Sequence, residues 1–449
     1  YPSPTGDQTW IALDAQGGLF LCITSGLFMA AAVYAVGYLR RESQASRETE
    51  DTEEGFLFRN EPEAIFIGCL LLFLATMCLV CLSQHLGLLW VAVEATTLVS
   101  APLISFHRHH RSLEATWKYL LICSVGIAIA LLGYFFLAYA GRGQNHRLNM
   151  HDLLAAASAM DPAWLKAAFL MMLVGYGTKM GLAPMHTWLP DAHSESPSMV
   201  SALLSGALLN CAFLGILRGH AILTAAGLGS FSGDLLVLLG LVSMGVAAVF
   251  LIHQVDYKRM LAYSSIEHMG VMALGVGLGG LAGFGAMLHA VNHSMTKGLL
   301  FLAAGNLLAR YKTKKIADVR GAITVTPVTA CLWLAGFLAI AGSPPFGLFV
   351  SEFTILKGAL DAGRWGVAAG YLLALGVIFV AMARIILPMV FGQPNSSVSQ
   401  PLPTAPQREP IWSVAPPIIM GMFVLTLGVY IPPIIRQALE QAAVFAGGK

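Results

Sequence analysis

Charge is scarce in this sequence. Only 11% of its 449 residues are Asp, Glu, Lys or Arg, where soluble domains carry roughly a quarter. An ordinary soluble fold is thereby excluded. No ten-residue segments of alternating polarity occur, so a membrane barrel is excluded too. None of the seven cysteines (Cys22, Cys69, Cys78, Cys81, Cys123, Cys211, Cys331) falls in a loop, which argues against a disulfide framework. Cys78 and Cys81 form one C-x-x-C inside an apolar run, with no second cysteine pair to complete a metal or redox site. There is no Cys-rich cluster motif, no Rossmann glycine fingerprint and no P-loop. The first residues, YPSPTGDQTW, lack the basic n-region of a signal peptide.

What is present is apolar material, 57% of the chain, arranged in runs near the roughly 20 residues that cross a bilayer core. Backbone groups in lipid must be satisfied within the segment, so the runs are helices. The spans fall at about 11–39, 64–83, 87–106, 117–140, 165–189, 198–218, 231–252, 260–280, 284–309, 326–357, 366–391 and 412–432. The expectation is an all-α polytopic membrane protein of about twelve transmembrane helices. With that count, fifteen basic loop residues, Arg47, Arg59 and Arg408 among them, lie on one side and seven, including Lys449, on the other. The richer side reads as cytoplasmic. The one long charged loop, RRESQASRETEDTEEGFLFRNEPE, reads as a solvated connector.

Residues 64–218 make five spans that start on one side, and 231–391 make five that start on the other. That is the pattern of two inverted five-helix repeats. In each, the fourth span breaks: at Pro184 in TKMGLAPMHTWLP, and at Pro344 and Pro345 in AGSPPFGLFVSEF. Each break stands beside an ionisable residue, Lys179 or Glu352, and each second span carries a glutamate, Glu94 or Glu267. Such breaks expose half-helix ends, which transporters place at midplane sites. Pro190 reads as the end of a helix, with DAHSES opening a short loop. The domain expectation is an N-terminal helix and charged loop at 1–59, repeats at 60–220 and 221–391, and a linker with a C-terminal helix at 392–449.

Intramembrane charges are costly and usually line a bundle interior or a water-filled path. His289, His293 and Lys297 sit at i, i+4 and i+8 on one helix face. His at i, i+4 is also a zinc pattern, but no glutamate follows the first His and a charged Lys297 is a poor ligand, so no metal is expected. A proton-passing row explains all three. His186 or His268 alone reads equally well as packing. Lys118 reads either as a relay residue or as a side chain snorkelling to the interface.

The runs GTKMGLAPMHTWLPDAHSESPSMVSALL, DYKRMLAYSSIEHMGVM and HAVNHSMTKGLLFLAAG resemble antiporter-like membrane subunits. These are shared by respiratory complex I, Mrp-type cation/proton antiporters and membrane-bound group 4 NiFe hydrogenases. SSIEHMG and SPPFGLFVSEF look most like the F-type subunit of formate-hydrogenlyase-like hydrogenases. Members of the family usually begin with further helices, so spans ahead of Tyr1 are expected.

The resemblance implies a non-catalytic proton-translocating subunit in the cell inner membrane, with other membrane and peripheral subunits as partners and no nucleic acid. Cofactors are expected in the partners only: iron–sulfur clusters and a NiFe site, or flavin and quinone. It makes Glu94 and Lys179 an interacting pair in the first half-channel. Lys297, with His289 and His293, becomes the centre of the second, and Glu352 its terminal residue. Where relatives carry a titratable residue on the sixth span, this chain offers only Ser205 and Asn210. The other readings are a Mrp-type Na⁺/H⁺ antiporter subunit, a proton-coupled inorganic-carbon uptake subunit, and a membrane anchor with vestigial charges.

Overall fold

A computed structural model describes residues 9–44, 49–50, 57–58, 60–142, 147–393 and 409–445. Arg47, Arg59, Arg408 and Lys449, and most of the charged loop, lie outside the described residues. Apolar sequence with few breakers gives helices almost throughout, and the twelve expected spans are all present. The first unit holds α2 (Glu63–Leu82), α3 (Leu86–Ile104), α4 (His110–Ala140), the broken pair α6 (Pro162–Met180) and α7 (Leu189–Glu195), and the joined pair α8 (Ser198–Leu203) and α9 (Leu209–Ala225). It is preceded by α1 (Ala15–Gln44) and carries a short α5 (Met150–Ala156) before α6.

The second unit holds α10 (Gly229–Leu251), α11 (Tyr257–Leu278), α12 (Gly280–Tyr311), a short α13 (Ala322–Val325), the broken pair α14 (Pro327–Ile340) and α15 (Gly347–Asp361), and α16 (Trp365–Phe391). Then come α17 (Ile411–Val429) and α18 (Pro433–Phe445). In both units the spans pack in the same order, first on second, second on third, third on the broken fourth, and fourth on fifth.

Loops meet loops at each end, as parity requires. At one end Asp256 pairs with Lys315 and Glu61 with Phe106 through the backbone; at the other His85 pairs with Asn149 and Arg218 with Asp14. Close approach of α4 and α6 depends on glycine, since a Cβ on Gly175 would stand 2.5 Å from the Gly126 carbonyl. The two units meet where α7, α8 and α9 pack on α11, α12 and α10.

Three expectations change. The span expected at 165–189 ends at Met180, and Pro190 starts a helix rather than ending one, because it stands in the first turn of α7. An N–H is not needed there, so proline fits. The sixth span runs on to Ala225 and is loosened at Leu204–Leu208 into a π-helical turn. Finally, α18 was not expected. It is too short to cross a bilayer, and it packs on α1 and α12, with Gln16 Nε2 donating to the Ala442 carbonyl at 3.2 Å.

Eight helices among the described residues are long and apolar enough to cross a membrane alone. The four spans that fail are α6, α11, α12 and α14/α15. They carry Lys179, Glu267, the His289–His293–Lys297 face and Glu352.

Candidate functional site

Lys179 sits in the last turn of α6, just before Gly181 turns the chain through a left-handed φ of 82°. The break that follows is pinned on both sides. Trp188 Nε1 donates to the Thr178 carbonyl at 2.8 Å, and Ala183 N donates to Ser243 Oγ of α10 at 2.9 Å. A carbonyl and an N–H at the missing helical turn thus gain side-chain partners, as buried backbone requires.

Lys179 is fully buried. Its Nζ donates to Thr97 Oγ1 and to the Tyr119 hydroxyl, both at 2.7 Å, and lies 4.6 Å from the centre of the Tyr119 ring. Tyr119 in turn shares a hydrogen bond of 2.7 Å with Ser100 and packs its ring on Trp188. Glu94 makes no direct hydrogen bond to Lys179. Its Oε1 accepts from Ser124 at 2.7 Å, its Oε2 is buried without a partner, and no ion pair joins it to Lys179. The reason is geometric: Thr97, one helical turn beyond Glu94 on α3, takes the ammonium first.

In the second unit Lys297, also buried, donates to the Leu261 carbonyl at 2.7 Å. Beside it a chain of side chains crosses three helices. His268 Nδ1 and His289 Nε2 are 3.0 Å apart, and His289 Nδ1 and Ser351 Oγ are 3.0 Å apart. Glu267 Oε2 stands 3.9 Å from His268 Nε2. His293 stacks parallel to His289 and lies 5.2 Å from the ring of His268, with both nitrogens unpaired. Glu352 follows Ser351 in α15, and its carboxylate folds back into the second break. A Cβ on Gly342, where φ is 62°, would collide with it.

His268, His289 and Glu352 hold ligand-type atoms within 4.8 Å of one another. Both His289 nitrogens are already hydrogen-bonded, which uses the lone pair a metal would need. The arrangement favours sharing protons over coordinating a cation.

Between the units Ser205, in the π-helical turn, is 2.8 Å from Ser265 on α11, and Asn210 Nδ2 donates to Ser294 on α12 at 2.9 Å. Ser265 is two residues from Glu267, and Ser294 follows His293. Both expected linkers therefore reach the second unit's polar helices.

Lys118 is not in the buried row. Its side chain is 46% exposed and pairs with Glu114 at 2.6 Å and Asp191 at 3.1 Å. Asp191 also pairs with Arg259. Nearby, Lys314 pairs with Glu195 at 2.8 Å, and Lys258 donates to the Ser194 and Ser196 carbonyls at 3.2 and 2.5 Å. Burial alone would raise the Glu195 carboxyl, but the Lys314 ammonium, with His109 and Lys258, outweighs it and holds the group below the usual carboxylate range.

The sequence reading missed Thr97, Tyr119, Ser265, Ser294 and Ser351, and took His268 alone as equally a packing residue. The available signals were local: Thr97 one turn from Glu94, Ser351 beside Glu352 and His268 beside Glu267.

The family described as NADH:quinone oxidoreductase/Mrp antiporter, TM, matches residues 83–378. A hydrogenase-4 component F homolog of Methylacidiphilum infernorum is 35% identical, over 97% of this chain and 88% of that protein. NADH-quinone oxidoreductase subunit N of Desulforudis audaxviator is 30% identical over 98% and 86%. The fold matches a chain in the Mrp complex from Dietzia sp. DQ12-45-1b with a TM-score of 0.81, at 22% identity, covering 97% of this chain and 83% of that one. The chain belongs to the NADH:quinone oxidoreductase/Mrp antiporter transmembrane family, as an antiporter-like subunit of the kind found in complex I, group 4 hydrogenases and Mrp complexes.

Proposed function

We propose that this chain moves protons across the cell inner membrane through its buried Glu/Lys/His row, driven by redox chemistry in partner subunits of a hydrogenase or complex I type assembly. The observation that carries this reading is the pair of broken helices. Each holds a buried ionisable residue on side-chain hydrogen bonds or against the break, Lys179 in one and Glu352 in the other. Residues 60–220 and 221–391 then act as two half-channels, flanked by 1–59 and 392–449. Iron–sulfur clusters with a NiFe site, or flavin and quinone, belong in the partners.

The chemistry follows from the contacts. Lys179 held on two neutral hydroxyls lacks the support a carboxylate would give its charge. A swing toward Glu94 favours proton uptake, and a return to Thr97 and Tyr119 favours release. The hydroxyl pairs Ser205–Ser265 and Asn210–Ser294 lead to the Lys297 and histidine face. From there His289 and Ser351 lead to Glu352, the last carboxylate before the break opens. The buried titratable groups here are rich in Lys and His, whereas hard cations such as sodium favour oxygen cages. That supports protons over sodium.

Sealed vesicles holding the intact complex test this reading. Lys179→Ala and Glu352→Ala should each cut protons pumped per substrate turnover by about tenfold or more. Normal pumping in both would overturn it.

A further inference from the structure

Arg218 takes no part in the path described so far. It stands buried on α9, at the end of the fold away from the basic loops. Its Nη1 donates to the carboxylate of Asp14, whose side chain is 19% exposed and also accepts from Gly17 N at 2.8 Å. Nε and Nη2 are buried with no partner. The pair is thus oriented, with its carboxylate toward water and its unpaired nitrogens toward the interior.

Inward of Arg218 the contacts form a ladder between α9 and α6. A Cβ on Gly219 would stand 3.0 Å from Met172 and 3.3 Å from Phe169, and one on Gly215 would stand 2.8 Å from the ring of Tyr176. Tyr176 therefore lies against the turn of α9 that leads into Arg218. Its hydroxyl shares a hydrogen bond with that of Tyr134 on α4, the ring centres 6.4 Å apart, and the charge of Arg218 acts on Tyr134. Lys179 follows Tyr176 by one turn of α6. Two three-residue steps at the helical rise put the Lys179 and Arg218 backbones roughly 9 Å apart along the helix axes.

From this placement we infer that Arg218 is an electrostatic barrier that keeps the proton on Lys179 from leaving through Tyr176 and Tyr134 to the outer face. The second unit is then the way out that remains. The inference rests on the proposed proton-carrying role of Lys179.

Two hydrogen-bonded tyrosine hydroxyls can pass a proton along, each giving its own as it accepts another. A guanidinium cannot, because it has no lone pair to accept with and keeps its charge in proteins. Fixed arginines exclude protons from water pores in this way. A unit charge roughly 9 Å away, at an effective dielectric of about 20, slows the approach of a second by roughly twentyfold. Asp14 offsets part of that, which leaves an effect of about tenfold.

The test imposes a pH gradient on sealed vesicles holding the intact complex without substrate. Its decay is followed with a pH-sensitive dye and normalised to assembled complex. Arg218→Gln with Asp14→Asn removes the pair without stranding either charge, and Arg218→Lys keeps a cation. The expected result is decay about tenfold faster in the Gln/Asn variant and close to the parent's in Arg218→Lys. Adding Tyr176→Phe or Lys179→Ala to the Gln/Asn variant should return the decay to the parent's rate. Should the Gln/Asn variant fail to assemble, Arg218→Gln alone decides, since Asp14 keeps contact with water. Parent-like decay in the Gln/Asn variant, with pumping still lost in Lys179→Ala, overturns the barrier and leaves the proposed function standing. Fast decay in Arg218→Lys, or fast decay that persists with Tyr176→Phe and Lys179→Ala, shows a loosened bundle and also overturns the barrier. Normal pumping in Lys179→Ala overturns both.

Discussion

At the scale of single residues, the cost of burying a charge explains the company Lys179 keeps. An ammonium away from water needs several acceptors, and Thr97 and Tyr119 supply two from different helices. Tyr119→Phe would remove one of them and leave Ser100 with only its bonds to the Thr96 and Thr97 carbonyls. The expected loss is about 1–3 kcal/mol of stability, read as a lower melting temperature in detergent, together with slower proton transport in vesicles. Lys179 was legible in the sequence as a lone charge before a proline. Its partners were not, because a threonine and a tyrosine inside apolar helices look like any other packing residues until the helices are set side by side. Glu94 was legible for the same reason as Lys179, but not that Thr97 and Tyr119 are what the ammonium hydrogen-bonds.

Helices show a similar division. Twelve spans could be read because bilayer thickness fixes their length and proline marks the breaks. The π-helical turn at Leu204–Leu208 could not, since LSGAL holds no proline and its one glycine, Gly206, reads as a close-packing position rather than a loosened turn. Nor could α7. Pro190 followed by a polar run has the look of a loop, yet proline at the head of a helix is well tolerated. The amphipathic α18 fell below the length of a span and left no signal in a search for spans. In the second broken helix, Gly342 gives a direct handle. Alanine there meets both an unfavourable φ of 62° and the Glu352 carboxylate. Gly342→Ala should displace Glu352 and lower pumping several-fold while far-ultraviolet circular dichroism stays that of the parent; unchanged pumping would show that the position of the carboxylate does not matter.

Across the whole molecule, ion pairs at the ends set how the elements are tied. Arg218, buried on α9, pairs with Asp14 just ahead of α1, and its remaining nitrogens, Nε and Nη2, have no other partner. Asp14→Asn leaves that charge stranded. A loss of about 3–5 kcal/mol follows from the usual penalty for an uncompensated buried charge, measurable as a sharp drop in thermal midpoint. The Asp191 pairs with Lys118 and Arg259 are more open to solvent. Pairs of that kind contribute about 0–1 kcal/mol each, so Asp191→Asn should shift the midpoint far less than Asp14→Asn.

The four spans too polar or, in α14/α15, too short to cross a bilayer alone also constrain how the protein is made. A helix carrying Lys179, or three titratable groups on one face, is a poor substrate for one-at-a-time insertion from the translocon. Three of the four, α11, α12 and α14/α15, follow one another in the chain, with α10 before them and α16 after as apolar neighbours. Insertion of the second half as a group, with the polar faces shielding one another, is the expected outcome, and it would tie biogenesis to the side chains proposed to carry protons.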